Sequence, residues 1–239
     1  MTIDIERITT ISFDGDGTLW DFEKVMRDAL QRTRDELCRL DSTLGEALTV
    51  ESMIAVRNRV AGELKGRGTN LEVIRLEAFR RTLAGIGRPD EQLARHLNEV
   101  YLAHRFANIE LFPDVNPALD ALGARYRLGL LSNGNSYPDR CGLEGRFQFV
   151  VFAQDHGVEK PDPRIFAITL DRAGCTRGQL LHVGDSLQND VFGAQRAGIA
   201  VVWLNRTGSP NTSAMQPDLE VRTLTDLADW VTWRNSTGC

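Results

Sequence analysis

The sequence has no apolar run that approaches the roughly 20 residues needed to span a membrane. Its start also lacks the basic residues and the following apolar stretch of a secretory signal peptide. Cysteine is scarce, because the chain has only four, and they show neither a C-x-x-C pair nor the spacing of metal ligands. We therefore expect a cytoplasmic protein with reduced thiols and no membrane partner.

An excess of positive charge is also missing, since 28 basic residues stand against 33 acidic ones for a net charge of −5. This charge predicts no general attraction to nucleic acid or to anionic membranes. The apolar fraction of 42% and the charged fraction of 26% are typical of a soluble globular protein. A length of 239 residues suits one large domain or a core with a smaller insertion.

Two carboxylates follow the first predicted strand. Residues 8–13 are mostly apolar or β-branched, and the strand ends at Asp14 and Asp16 in a Gly-x-Gly turn that can bring backbone close to a ligand. Acids with different neighbours can take different protonation states, one as nucleophile and one as acid/base. A plain turn is the simplest alternative. An EF-hand is excluded, because its loop needs glycine and an acid where this chain has Leu19 and Val25.

A helical block follows the acid pair over residues 21–106. Apolar residues recur there at helical spacing, and breaks at 41–45, 66–68 and 85–87 separate four predicted helices. From residue 111 onward, predicted strands alternate with helices, which is typical of βαβ units and a mostly parallel sheet. The predicted strands are 126–131, 147–152, 180–183 and 199–204, and the predicted helices are 115–122, 163–173, 191–197 and 224–233.

Polar residues also follow two of the later predicted strands. Ser132 and Asn133 come after one strand, Asp185 comes after another, and Lys160 lies in a loop before a helix. Ligands of parallel α/β sheets bind beyond the carboxyl ends of the strands. Independent turns would not need two acids, a hydroxyl, a lysine and a third acid at one sheet edge. The pattern therefore indicates a shared site.

Four segments resemble, in order, the motifs of the haloacid-dehalogenase-type (HAD) hydrolases. Residues 13–19, FDGDGTL, are similar to the first motif, D-x-D-x-T, and residues 130–134, LLSNG, to the second. Residues 160–163, KPDP, resemble the third motif, and residues 184–190, GDSLQND, the fourth. The helical block matches the C1-type cap of the family.

The resemblance implies an α/β fold with a Rossmann-like, mostly parallel core and an inserted all-helical C1 cap. The core would comprise residues 1–20 and 107–239, and the cap residues 21–106. Because such a cap closes over the site and excludes a folded protein, we expect a small phosphorylated metabolite as substrate. The resemblance thus implies a Mg²⁺-dependent phosphatase of the capped branch, which works through an aspartyl-phosphate intermediate.

The resemblance also implies a role for each motif residue. Asp14 would attack phosphorus, and Asp16 would protonate the leaving group and then deprotonate the attacking water. Ser132 and Lys160 would bind and neutralise the phosphoryl group, aided by backbone N–H groups near Asn133.

The metal would be held by oxygen ligands from two motifs, as Mg²⁺ prefers. The resemblance implies that Asp14, Asp185 and the backbone carbonyl of Asp16 are these ligands. Asp190, in the fourth motif, is a candidate to orient the water shell of the metal. The expected metal ligands and Asp190 all lie at the carboxyl ends of the predicted strands.

Two alternatives remain open. Haloacid dehalogenases of the family resemble this chain in the nucleophile but lack the second acid, since halide leaves without a proton; Asp16 therefore favours phosphate esters. A catalytically idle binding or regulatory module on the same fold is the other alternative, which the acid pair and Lys160 disfavour. Trp20 and Phe22 follow the acid pair, where they could contact substrate or pack in the core. His182, inside an apolar strand, is interpreted as a core histidine.

Overall fold

The computed structural model of the protein describes residues 3–64, 70–107 and 109–237. The chain divides into two compact units. The core unit comprises Met1–Asp21 and Glu110–Cys239, and the helical unit comprises Phe22–Ile109. The role of the helical unit as a cap stays a prediction. No helix in the described ranges is long and apolar enough to cross a membrane.

The helices of the helical unit follow the predicted pattern closely. They are α1 (Phe22–Leu40), α2 (Ser42–Glu46), α3 (Val50–Leu64), α4 (Leu71–Gly85) and α5 (Glu91–Ala107). Side chains from α1, α4 and α5 form a buried apolar cluster that includes Leu30, Leu83 and Leu97. The apolar spacing of 3.6 residues places these side chains on one face of each helix, and each buried leucine contributes about 1.5–3 kcal/mol.

The predicted break at residues 41–45 does end α1, at Leu40, but the sequence analysis did not predict that most of this segment forms a helix of its own. Asp41 begins the short helix α2 there, because its side chain accepts a hydrogen bond from the backbone N–H of Thr43. Asn70 caps α4 in the same way, through the N–H of Glu72, as the sequence predicts. The predicted break at 66–68 lies outside the described residues.

The described strands of the core unit form one sheet in which all neighbouring pairs are parallel, in the order β3-β2-β1-β4-β5-β6. They are β1 (Thr10–Phe13), β2 (Arg127–Ser132), β3 (Phe149–Phe152), β4 (Leu180–Gly184), β5 (Ala200–Leu204) and β6 (Leu219–Val221). This sheet confirms the predicted α/β, Rossmann-like fold. Every residue of β1 is buried, as expected for a central parallel strand covered on both faces.

The described α-helices of the core unit are α6 (Val115–Gly123), α7 (Ala153–His156), α8 (Pro163–Ala173), α9 (Phe192–Arg196) and α10 (Leu224–Thr237). The sequence predicts all of them at least in part except α7. A π-helical turn, Leu187–Val191, precedes α9. Such turns are rare and often occur at functional sites. This one carries Asp190.

Candidate active site

The carboxyl ends of three adjacent strands carry the predicted site residues. β1 lies between β2 and β4, and the register places Phe13 beside Leu130 and Val183. The acid pair after β1, Ser132 at the end of β2 and Asp185 after β4 therefore lie at the same edge of the sheet. Parallel strand order thus brings together residues that are more than 100 positions apart in sequence.

Lys160 holds two of the acids together. Its Nζ donates to Asp14 Oδ1 at 2.7 Å, to Asp190 Oδ1 at 2.7 Å and to the carbonyl oxygen of Leu131 at 3.0 Å. The residue is only 2% exposed, so these acceptors replace the water that its ammonium has lost. Burial lowers the pKa of Lys160, but the attraction of both carboxylates outweighs this effect and raises that pKa above its usual value. Lys160 is therefore a fixed positive charge beside the predicted nucleophile.

Asn133 fixes the backbone of Lys160. Its Oδ1 accepts from the Lys160 backbone N–H at 2.8 Å, and its Nδ2 donates to the Lys160 carbonyl oxygen at 2.9 Å. The sequence analysis gives Asn133 a role in substrate binding through nearby backbone N–H groups, which stays a prediction, and it misses this contact of the side chain. Nothing in the sequence signals it, because the two residues are 27 positions apart in sequence.

The acid cluster can hold a cation. Single oxygens of Asp14, Asp185 and Asp190 lie within 4.8 Å of one another. Burial raises the pKa of Asp14 well above its usual value, against the attraction of Lys160, and the charges of Asp190 and Asp185 raise it further. Burial and the charge of Asp190 raise the pKa of Asp185 to about 6. Lys160 brings one positive charge to three carboxylates, and a divalent cation with oxygen ligands would relieve the excess of negative charge.

Asp190 is itself held by protein groups on both oxygens. Besides Lys160, Oδ1 lies 3.0 Å from His182 Nε2, and Oδ2 accepts from the Ser186 backbone N–H at 3.0 Å. Burial raises the pKa of Asp190, but the charge of Lys160 and the hydrogen bond from His182 outweigh burial. The pKa of Asp190 is therefore below its usual value. Asp190 is thus an ionised carboxylate that pairs with Lys160 and is held in place by His182 and Ser186. This environment fits a supporting role better than direct metal ligation.

His182 is a core residue, as the sequence analysis interprets it. The side chain is fully buried, and its Nδ1 lies 2.9 Å from the Ser12 hydroxyl. A carboxylate only accepts, so the Nε2–H of a neutral ring donates to Asp190 while Nδ1 accepts from Ser12. Burial lowers the pKa of His182 and keeps the ring neutral. The buried histidine therefore holds Asp190 in place through a hydrogen bond and is itself held by Ser12.

The turn after β1 is built against the Asp185 carboxylate. Thr18 is fully buried, and its hydroxyl donates to Asp185 Oδ1 at 3.1 Å. Gly17 has a φ of +83°, and a methyl group there would lie 2.5 Å from Asp185 Oδ2. Only glycine readily adopts this positive φ and also leaves room for the Asp185 carboxylate. The turn and the fourth motif are therefore packed against each other without room for a side chain.

Arg206 secures the same turn from the loop after β5. Its Nη2 donates to the Thr18 carbonyl oxygen at 2.8 Å, and its Nη1 lies 3.0 Å from Asp114 Oδ2. The guanidinium also stacks on Phe112, 4.0 Å from the ring centroid. The sequence analysis missed this residue, because no motif includes it. Its contacts tie the acid-bearing turn to the start of α6.

The turn after β2 lies close to Asp16. The Ser132 hydroxyl oxygen accepts from the Gly134 backbone N–H at 2.9 Å. A methyl group at Gly134 would lie 2.5 Å from Asp16 Oδ2 and 3.2 Å from the Ser132 hydroxyl oxygen. Ser132 and Asp16 thus face the same small space. The phosphoryl-binding role of Ser132 stays a prediction.

The haloacid dehalogenase-like hydrolase family model matches residues 8–198. The chain is 26% identical over 234 residues to the 5-amino-6-(5-phospho-D-ribitylamino)uracil phosphatase YigB of Escherichia coli, covering 94% of this chain and 97% of the relative. It is 29% identical over 235 residues to the glyceraldehyde 3-phosphate phosphatase of Methanopyrus kandleri, with the same two coverages.

A solved structure shares the fold over almost the whole chain. It is the 2-haloacid dehalogenase from Pseudomonas syringae pv. Tomato DC3000, with a TM-score of 0.80, 33% identity, and coverage of 95% of this chain and 99% of that chain. The predicted superfamily and the prediction of a hydrolase are thus confirmed. The chain belongs to the haloacid dehalogenase-like hydrolase family.

Proposed function

We propose that this hydrolase is a Mg²⁺-dependent phosphatase that hydrolyses a small phosphomonoester through an aspartyl-phosphate intermediate. The observation that carries the proposal is the pairing of two different acids at one strand end. Asp14 is buried and bound to the Lys160 ammonium, whereas Asp16 is partly exposed and bound to an indole N–H. A nucleophile and a separate proton donor are what phosphate ester hydrolysis requires.

The first half of the reaction transfers the phosphoryl group to the enzyme. A carboxylate oxygen of Asp14 bonds to phosphorus as the bond from phosphorus to the ester oxygen breaks. Asp16 gives its proton to the leaving oxygen, which departs as an alcohol. Lys160, fixed 2.7 Å from Asp14, and Ser132 stabilise charge on the phosphoryl oxygens.

The second half regenerates the carboxylate. Asp16, now ionised, takes a proton from water as the water oxygen bonds to phosphorus. The bond from phosphorus to the Asp14 oxygen breaks, and phosphate leaves. Lys160 stays bound to Asp190 throughout, so its charge remains in place.

Asp14, Asp185 and the backbone carbonyl of Asp16 are the residues we propose to hold Mg²⁺. When bound, the ion neutralises charge on the phosphoryl oxygens and so lets an anionic nucleophile approach an anionic ester. The shared negative charge of Asp14 and Asp185 supports this assignment. Asp190 acts through Lys160 and stays outside the ligand set.

The substrate class is proposed from the relatives. The relatives from Escherichia coli and Methanopyrus kandleri are both named as phosphatases of phosphorylated small molecules. We propose the helical unit as a C1 cap that restricts the enzyme to such substrates, and we propose a cytoplasmic enzyme without a nucleic-acid partner. The net charge of −5 supports the absence of a nucleic-acid partner, and the unbridged thiols of Cys38 and Cys175 support the cytoplasmic location.

The test is hydrolysis of p-nitrophenyl phosphate with and without Mg²⁺ by the natural chain and by Asp14→Asn. We expect metal-dependent turnover that falls by at least about 10³-fold in the variant, because an amide is a far weaker nucleophile than a carboxylate. Asp120→Asn, an exposed acid paired with Arg146 on the same unit, is the matched control and retains activity. Equal turnover by Asp14→Asn and the natural chain would contradict the proposal.

A haloacid dehalogenase is the second candidate, favoured by the 33% identical dehalogenase structure. Chloride release from a 2-chloro acid distinguishes it from phosphate release. Asp16→Asn sharpens the comparison, since halide needs no proton whereas an alkoxide does. Chloride release that survives in Asp16→Asn, together with no phosphate release from any ester, would replace the phosphatase with the dehalogenase. Release of neither product would favour a binding module.

A further inference from the structure

Trp20 donates a hydrogen bond to the second acid of the first motif. Its Nε1 lies 2.8 Å from Asp16 Oδ1, and the residue is only 1% exposed. The ring lies against the backbone of Gly15, where a methyl group would approach Trp20 Cζ2 to 2.8 Å. The indole therefore packs beneath the turn that carries both acids.

The backbone on either side fixes this indole. The Trp20 carbonyl oxygen accepts from the Gly17 backbone N–H at 2.8 Å, and Trp20 forms an antiparallel bridge with Leu111. Beside this bridge, the Phe112 backbone N–H donates a hydrogen bond to the Leu19 carbonyl oxygen at 3.0 Å. Because the ring is buried and its backbone is bonded on both edges, the indole cannot turn away from Asp16 without disrupting the turn.

The two oxygens of Asp16 consequently have different surroundings. Oδ1 accepts from an indole, which can only donate, so that oxygen stays an acceptor in both protonation states of the acid. Oδ2 lies beside Gly134, in the turn that follows Ser132. An exposed Asp side chain samples a broad range of χ2 and exchanges its oxygens freely. The indole removes this freedom.

We propose that Trp20 is a positioning residue that makes Oδ2 of Asp16 the oxygen that transfers the proton. This inference rests on the proposed phosphatase function. As the bond from phosphorus to the leaving oxygen breaks, the Oδ2–H bond breaks and the proton passes to that oxygen. In the second half, a water O–H bond breaks and Oδ2 takes the proton, while the water oxygen bonds to phosphorus and displaces Asp14.

The proposal predicts a dependence on the leaving group. A nitrophenolate departs readily without a proton, whereas an alkoxide depends on one, so loss of acid alignment affects alkyl phosphates most. Trp20→Phe keeps an aromatic side chain and removes the N–H together with part of the indole, a loss of volume that the control variant shares. The kcat/KM value reports the first half of the reaction, up to departure of the leaving group. We expect Trp20→Phe to lower kcat/KM for an alkyl phosphate by about 10- to 100-fold, part of the roughly 10²- to 10⁴-fold that general acid catalysis contributes, and kcat/KM for p-nitrophenyl phosphate by less than about 3-fold.

Trp203→Phe is the matched control. The Trp203 indole is also buried and also donates to the site, but its acceptor is the backbone carbonyl oxygen of Asp185, at 2.8 Å. The same truncation there should change kcat/KM for both esters by the same factor. An equal loss of kcat/KM for both esters in Trp20→Phe would assign Trp20 a packing role and overturn the proposal. Wild-type turnover of neither ester would instead refute the phosphatase function.

A second measurement does not depend on activity or on the folding of a Trp20 variant. In a ¹⁵N–¹H spectrum of the full chain, the Trp20 indole N–H should shift upfield and exchange faster with solvent in Asp16→Ala. The Trp203 indole should keep its position, since its acceptor is unchanged. An unmoved Trp20 signal in Asp16→Ala would show that the contact is absent in solution and would overturn the proposal.

Discussion

Replacing Lys160 with methionine should destabilise the core unit more than most single substitutions. Methionine has a similar length, so the main loss is the ammonium between Asp14 and Asp190. Each hydrogen bond to a charged group contributes about 1.5–3 kcal/mol, and removing one partner of a buried ion pair costs about 3–5 kcal/mol. We therefore expect Lys160→Met to lower the free energy of unfolding by about 3–5 kcal/mol near pH 8.

The loss of stability in Lys160→Met should depend on pH. Without Lys160, the buried carboxylates of Asp14 and Asp190 lose the charge that lowers their pKa values. The folded variant then binds protons at a pH where the unfolded chain does not, so its stability rises as pH falls. The deficit relative to the natural chain should therefore shrink between pH 8 and pH 5.5.

Urea unfolding followed by tryptophan fluorescence measures the effect in the right unit, because all four tryptophans of the chain lie in the core unit. In thermal unfolding, the same loss corresponds to a Tm lower by about 6–20 °C for a chain of this size. Lys24→Met is the control, since Lys24 pairs with Asp28 at 3.5 Å with both side chains more than half exposed. A deficit below about 1 kcal/mol, or one that grows as pH falls, would refute the reasoning.

Three further predictions concern the same edge of the sheet. Asn133→Ala leaves the Lys160 peptide group without its partners and should cost about 1–3 kcal/mol in urea unfolding, with lower kcat. Gly134→Ala places a methyl group 2.5 Å from Asp16 Oδ2, so steady-state kinetics should show kcat at least about 10-fold lower with little loss of stability. Because the pKa of Asp185 is raised to about 6, protons compete with Mg²⁺ below that pH, and calorimetry should find affinity about 10-fold weaker at pH 5 than at pH 7.5. Unchanged stability, unchanged kcat or equal affinities, respectively, would contradict them.

The sequence predicted the fold and the location of the polar groups because both depend on local patterns. The apolar run before Asp14 identified β1, and alternating strands and helices implied a parallel sheet whose strand ends meet. The strand β6 was missed because it has three residues and an exposed Glu220 at its centre, which leaves no apolar run to detect. At Asp41, residues that favour turns were read as a break, although the same types also cap helices.

The contacts that position the site could not be predicted in the same way. Asn133 holds Lys160, and Arg206 holds the Thr18 carbonyl oxygen across 188 positions of sequence. These pairs follow from the three-dimensional path of loops, which periodicity and composition do not encode. Trp20 illustrates the intermediate case: its place after the acid pair made it notable, but only the structure shows its N–H on Asp16.

The most direct test of the account is to trap the covalent intermediate. Enzyme that is turning over an aryl phosphate with Mg²⁺ is quenched in acid, treated with borohydride, and digested for mass spectrometry. Borohydride reduces an acyl phosphate to an alcohol, so the account predicts homoserine at Asp14, present with substrate and absent without it. Reduction at Asp16, or active enzyme with no reduced residue at all, would contradict the assignment of Asp14 as the nucleophile.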